Sequence, residues 1–238
     1  MLSQRPWRAE NVIQLIAGVF VCLGVGVVAA GVLRTAGVAA FKSPDSPANI
    51  LLATLSFQGV AWFLIFSFLK QHEVHWHDAF GLSNPDLNKS LWLAVRVVAV
   101  TLVVVLALEQ GSMLVLEKFG WAPEDERAVA LIMNAKSPWL RGYLAFFAMV
   151  LAPVSEEFMF RGVLFPFVKQ LGYPKLAWFG VSFLFAVIHF NAPTLLPLFV
   201  FALVLTWLYQ KTDCLLASIA AHSLFNTANL IILFIQSR

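Results

Sequence analysis

The sequence predicts an all-α polytopic membrane protein: a bundle of about seven transmembrane helices, with six to eight in range, built as one integral-membrane domain over residues 1–238. Three observations carry that prediction. The first is composition: 60% of the residues are hydrophobic and 12% charged, against about 45–50% and about 25% in soluble domains. A soluble fold of 26.4 kDa cannot be skinned by 16 basic and 13 acidic side chains, so lipid covers part of it. The second is a series of apolar runs long enough to cross about 30 Å of hydrocarbon at 1.5 Å per residue. The third is Trp92, Trp139, Trp178 and Trp207, which stand at or near the ends of those runs, where amphipathic rings anchor in the headgroup layer. Two cysteines, no glycine period and 22 phenylalanines exclude disulfide-scaffold, collagen-like and disordered chains. A net charge of +3, scattered along the chain, gives no nucleic-acid footprint; membrane lipids are the expected surroundings, in the cell membrane or, for a bacterial chain, the inner membrane.

Taken in order, the expected spans run Val12–Leu33, Ile50–Leu69, Leu91–Leu108, Gly142–Val163, Leu176–Phe190, Leu195–Tyr209 and Leu215–Ile235. The first follows Arg5 and Arg8, and Val28-Ala29-Ala30 has the look of a signal-peptidase site, but an apolar length of about 22 residues favours a retained helix. Gly18, Gly24, Gly26 and Gly31 on it are expected to let another backbone approach closely. The fifth and sixth runs, at about 15 residues, are short for full spans and call for tilt, shielding or extension. Basic residues divide evenly between the two sides of a seven-span chain, so no orientation follows. From Glu109 to Arg141 runs a polar connection; within it Pro123 and Glu124-Asp125-Glu126 start a short interfacial helix that Ser137-Pro138 stops, with a plain solvated connector as the alternative. His72, His75 and His77 lie in the loop after the second span, where a polar loop is a better reading than a metal tract because no second ligand cluster is near.

Ionisable groups inside spans are costly, so those that occur carry information. Arg96 is close enough to the end of its run to snorkel. The others form a set within residues 142–235, the motif-bearing helices: Glu156, Glu157 and Arg161 on the fourth span, His189 on the fifth, and His222 with Asn226 on the seventh. Glu157 and Arg161, spaced i, i+4, share a helical face and neutralise each other. Glu156 points about 100° away around the helix and is the candidate general base or acid, with an interhelical structural hydrogen bond as its bland alternative. Phe185 and His189 share one face, as do His222 and Asn226. Together these residues supply a base, a second proton carrier or ligand, and neutral donors for a developing oxyanion, which are the parts an amide hydrolase needs.

Glu156-Glu157-x-x-x-Arg161, Phe185-x-x-x-His189 and His222-x-x-x-Asn226, in that order on late helices, resemble the three motifs of the CPBP intramembrane proteases. That family includes CAAX prenyl endopeptidases and bacteriocin-processing or self-immunity proteins. The resemblance covers Glu156 to Asn226 and implies an endopeptidase acting on a membrane-associated protein or peptide. It implies that Glu156 and His189 activate water, that His222 and Asn226 hold the oxyanion, and that Glu157, Arg161 and Phe185 support them. A cofactor-free mechanism is favoured, because His222 and Asn226 make a natural donor pair and a metal would use Glu156 as a ligand. The metal alternative is a divalent ion such as zinc on Glu156, His189 and His222. A binding or immunity protein without catalysis, and a proton-coupled transporter, are the other classes open to these helices; no internal repeat speaks for the transporter.

Overall fold

In the computed structural model the described residues are 7–121 and 127–236, the side chains of residues 127 and 128 aside, and all regular structure among them is helical. They form two compact units, Trp7–His75 and a second that runs from Trp76 onward. The first unit holds α1 (Ala9–Thr35) and α2 (Pro47–Gln71). Ser46 starts α2 by accepting from the Asn49 amide at 3.3 Å, with Pro47 at the first helical position. Two of the four α1 glycines do the packing expected of them. A Cβ on Gly18 would come within 2.9 Å of Leu64, and one on Gly26 would run into the Ser56 side chain, whereas Gly24 and Gly31 meet nothing within 4 Å. His72 is no metal ligand here: Nδ1 bonds the Phe68 carbonyl at 2.8 Å and Nε2 accepts from the Arg8 amide at 3.3 Å, so backbone uses both nitrogens.

The second unit contains α3 (Trp76–Phe80), α4 (Leu87–Lys118), α5 (Arg127–Asn134), α6 (Pro138–Gln170), α7 (Leu176–Val187), α8 (Ala192–Thr212) and α9 (Leu215–Gln236). Its α4 corrects the reading of Glu109 onward as a connection. Gly111 alone is too weak a breaker against the apolar Met113–Leu116 that follows, so the helix continues to Lys118. It stops where Gly120 takes φ 76° and the Trp121 amide reaches back to the Leu116 carbonyl at 3.0 Å. A short helix is present in this connection as α5, and its expected start at Pro123–Glu126 lies outside the described residues.

Among the described residues six helices are long and apolar enough to cross a membrane: α1, α2, α4, α6, α8 and α9. The fifth expected run falls short, because α7 ends at Val187 and gives only about 18 Å of helix. The sixth gains what it lacked by extending to Ala192–Thr212, started by Asn191 Oδ1 accepting from the Thr194 amide at 3.1 Å. Within this unit α4 and α9 pack against α8 through Ala94, Val98, Phe201, Leu205, Ala221 and Phe225. Helix α4 runs opposite to α8, since Asn84 just before α4 bonds the carbonyl of Thr212 at the end of α8, 3.0 Å away. Helix α6 runs with α8: Arg161 bonds the Ala202 carbonyl and, further along both helices, the Phe165 and Tyr209 rings meet at 6.4 Å. Two consecutive long helices that run the same way oblige the chain between them, residues 171–191, to travel back the other way, and α7 lies on that return.

Candidate active site

Glu156 and Glu157 stand about midway along α6 on a short α-helical stretch, Ala152–Glu157, between two π-helical turns, Phe147–Leu151 and Phe158–Leu164. The first π turn has a cause in the sequence. Pro153 lacks an N–H and crowds the preceding turn, so the helix widens and Ala148, five residues back, keeps a carbonyl that the proline cannot occupy. Asn226 on α9 takes that carbonyl, donating from Nδ2 at 2.9 Å. The π-helical widening and the asparagine amide together satisfy a backbone group that would otherwise be orphaned.

Glu157 and Arg161 are 0% and 1% exposed and pair at 2.9 Å through Oε1 and Nη1, as their spacing predicts. The sequence does not show their other partners. Arg161 Nη2 donates to the Ala202 carbonyl of α8 at 2.9 Å, and its guanidinium carbon lies 4.8 Å from the centre of the Phe185 ring. Glu157 Oε1 also meets His222 Nδ1 at 2.8 Å, 65 residues along the chain. The buried carboxylate therefore joins α6 to α9, and its arginine joins α6 to α8. Glu156 differs in exposure: 21% of its side chain is accessible, and its Oε2 lies 3.8 Å from His222 Nε2. Of the two carboxylates, it is the one that water can reach.

His189 sits in the turn just beyond α7 rather than within a helix, and its Nδ1 bonds the Phe185 carbonyl at 2.7 Å. A carbonyl only accepts, so Nδ1 carries the hydrogen and Nε2 of the neutral ring is left as an acceptor. Phe185 is fully buried and is the common wall of the site. The His189 ring lies 4.9 Å from it, the His222 ring 5.7 Å, and Phe160 meets it edge-on at 5.2 Å. Phe201 closes the other side of His222 at 5.3 Å. Sequence reasoning missed Phe201, as well as the carbonyls of Ala148 and Ala202; Pro153, set five residues after Ala148, was the available signal for the first carbonyl.

Among the described residues no group of three or more His, Cys, Asp or Glu side chains is placed to hold a metal ion. Glu156 and His222 stand together, but His189 does not join them in such a group. What the arrangement offers is an accessible carboxylate beside a histidine nitrogen, a second histidine with a free acceptor, and an asparagine with one remaining amide hydrogen.

Comparison with known proteins bears on this same region. Residues 138–228, from the first turn of α6 into α9, match the Rce1-like, type II CAAX prenyl endopeptidase family. A stretch of 78 residues is 32% identical to UPF0177 protein YxdF of Lactococcus lactis subsp. lactis (strain IL1403), covering 32% of this chain and 42% of that protein. The match thus spans less than half the length of that relative. No solved structure matches the chain. The apolar helices and the family together make this an integral, multi-pass membrane protein. Both carboxylates, both histidines and Asn226 fall inside the matched segment, so the part of the chain that is similar to the Rce1-like, type II CAAX prenyl endopeptidases is the part that holds the site.

Proposed function

We propose that the protein is an intramembrane endopeptidase that hydrolyses a peptide bond of a membrane-associated protein or peptide. The observation that carries this reading is the pairing of an accessible Glu156 with His222 on a scaffold that commits Glu157 and Arg161 to structure. Glu156 takes a proton from water as the water attacks the scissile carbonyl, and His189 Nε2 holds the water by accepting its other hydrogen. Asn226 keeps one Nδ2 hydrogen on Ala148 and has the second for the oxyanion. The side chains themselves activate the water in this mechanism. About one equivalent of zinc, lost and restored together with activity under chelation, would overturn that part of it.

Glu156→Gln keeps the volume and removes the proton acceptor, so turnover is expected to fall by about a hundredfold or more, with the melting temperature held. Comparative proteomics of membrane and secreted fractions from cells carrying wild-type or Glu156→Gln protein reads both activity and substrate. Identical peptide profiles from the two, or a purified Glu156→Gln protein that cleaves at the wild-type rate, would remove Glu156 from the chemistry.

A further inference from the structure

The way His222 is held assigns its proton. Glu157 Oε1 accepts from Arg161 at 2.9 Å and meets His222 Nδ1 at 2.8 Å. A carboxylate paired with a buried arginine is ionised and only accepts, so the hydrogen of that second contact belongs to Nδ1. In the neutral ring Nε2 then carries a lone pair, and Nε2 is the atom 3.8 Å from Glu156 Oε2. The rings of Phe185 and Phe201, packed 5.7 and 5.3 Å from the His222 ring, oppose the flip that would exchange its two nitrogens. Neutral His222 therefore has no N–H to offer an oxyanion at that position. It has a proton acceptor beside the group that strips a proton from water.

We infer that, in the peptide hydrolysis proposed above, on which this rests, His222 is the general acid for the leaving amine and Glu157 is the residue that positions it by fixing its tautomer. As water attacks, the new C–O bond forms, one O–H bond breaks with its proton passing to the Glu156 carboxylate, and the carbonyl π pair becomes the oxyanion held by Asn226. The proton then moves from Glu156 to His222 Nε2, making an imidazolium whose Nδ1–H already faces the Glu157 carboxylate. When the oxyanion pair re-forms C=O, the C–N bond breaks, its electron pair stays on nitrogen, and that nitrogen takes the proton from Nε2. The products are one carboxylic acid and one amine. Glu156 returns as carboxylate and His222 as the neutral Nδ1–H ring. Peptide nitrogen leaves only once protonated, whereas an ester oxygen leaves far more readily without help, and this difference separates a general acid from an oxyanion donor.

The test uses a synthetic peptide spanning the cleavage site mapped by the proteome comparison, and its depsipeptide, with oxygen in place of the scissile N–H. Full-length His222→Gln protein places an amide N–H near the Nε2 position, able to donate but not to carry a proton. Peptide cleavage is expected to fall by about a hundredfold or more while depsipeptide cleavage stays within about tenfold of wild type. Equal losses on both probes, or peptide cleavage within about tenfold of wild type, would overturn the assignment. A measurement on the wild-type protein does not depend on how the variant folds. With ¹⁵N-histidine labelling, the neutral His222 ring is expected to show hydrogen on Nδ1, and Glu157→Gln to admit the Nε2–H form. A wild-type neutral ring protonated at Nε2 overturns the proposal. Full peptide cleavage by Glu156→Gln would sink the general base and this relay together, whereas equal losses with Glu156→Gln inactive would sink the relay alone.

Discussion

Arg161 makes a buried ion pair with Glu157, a bond to the Ala202 carbonyl and a contact with the Phe185 face, and its side chain is 1% exposed. Arg161→Ala leaves Glu157 charged without its cation in a water-poor setting and strips Ala202 of a donor. The cost is expected to be about 3–5 kcal/mol, since breaking one half of a buried pair is far worse than replacing both. Glu157→Gln with Arg161→Met should recover much of the loss in a detergent melting assay while leaving His222 without its carboxylate partner. An Arg161→Ala protein that melts with the wild type would show the pair to be energetically idle. The i, i+4 spacing made this pair legible in the sequence, because helical geometry alone brings the two side chains together. The third member, His222, was legible as a site residue through its spacing from Asn226, but its hydrogen bond to Glu157 spans 65 residues, a distance that no local rule reaches.

The π turns of α6 govern where the site residues stand. With proline at 153, the Ala148 carbonyl is available to Asn226, and the bond fixes the amide that the mechanism turns toward the oxyanion. Pro153→Ala restores a backbone N–H that competes for the same turn and lets the helix close into ordinary α geometry. The expected result is a melting temperature equal to or above wild type with kcat lowered about ten- to a hundredfold, since small misplacements of a positioned group carry costs of that order. Wild-type kcat in Pro153→Ala would detach the π turn from the chemistry. At this scale the sequence showed where apolar runs begin but not where helices end. Glu109–Lys118 looked like a connection from its polar start, yet the apolar Met113–Leu116 beyond Gly111 carries α4 on to a glycine stop at Gly120. His189 looked helical by its spacing from Phe185; it sits past the helix end, keeping only the hydrogen bond that the same spacing permits.

Across the second unit, hydropathy and direction count the membrane passages differently. By length α7 is no span, but α6 and α8 run the same way, so the return between them has to cover most of the thickness. About 18 Å of helix in α7 covers part of that return, and the turn at residues 188–190 carries the chain on to the start of α8. Of the seven runs expected, six qualify by length among the described residues, and the fifth is a short helix on the return between two parallel helices. The segment crosses with so little helix because His189 and Phe190 must end it: Phe190 takes φ 49°, which breaks the helix and leaves His189 in a turn on the Phe185 ring. Sidedness then alternates through the unit. Leu82, before α4, and Tyr173, after α6, belong on one face of the membrane, while Trp121, after α4, and Phe190, after α7, belong on the other; all four are exposed. Single cysteines at these positions, in a Cys22→Ser protein whose Cys214 is buried, should react with a membrane-impermeant maleimide in two pairs, Leu82 with Tyr173 and Trp121 with Phe190. Labelling of Phe190→Cys from the same side as Tyr173→Cys would mean that α7 dips and returns, and that His189 approaches Glu156 from the opposite face.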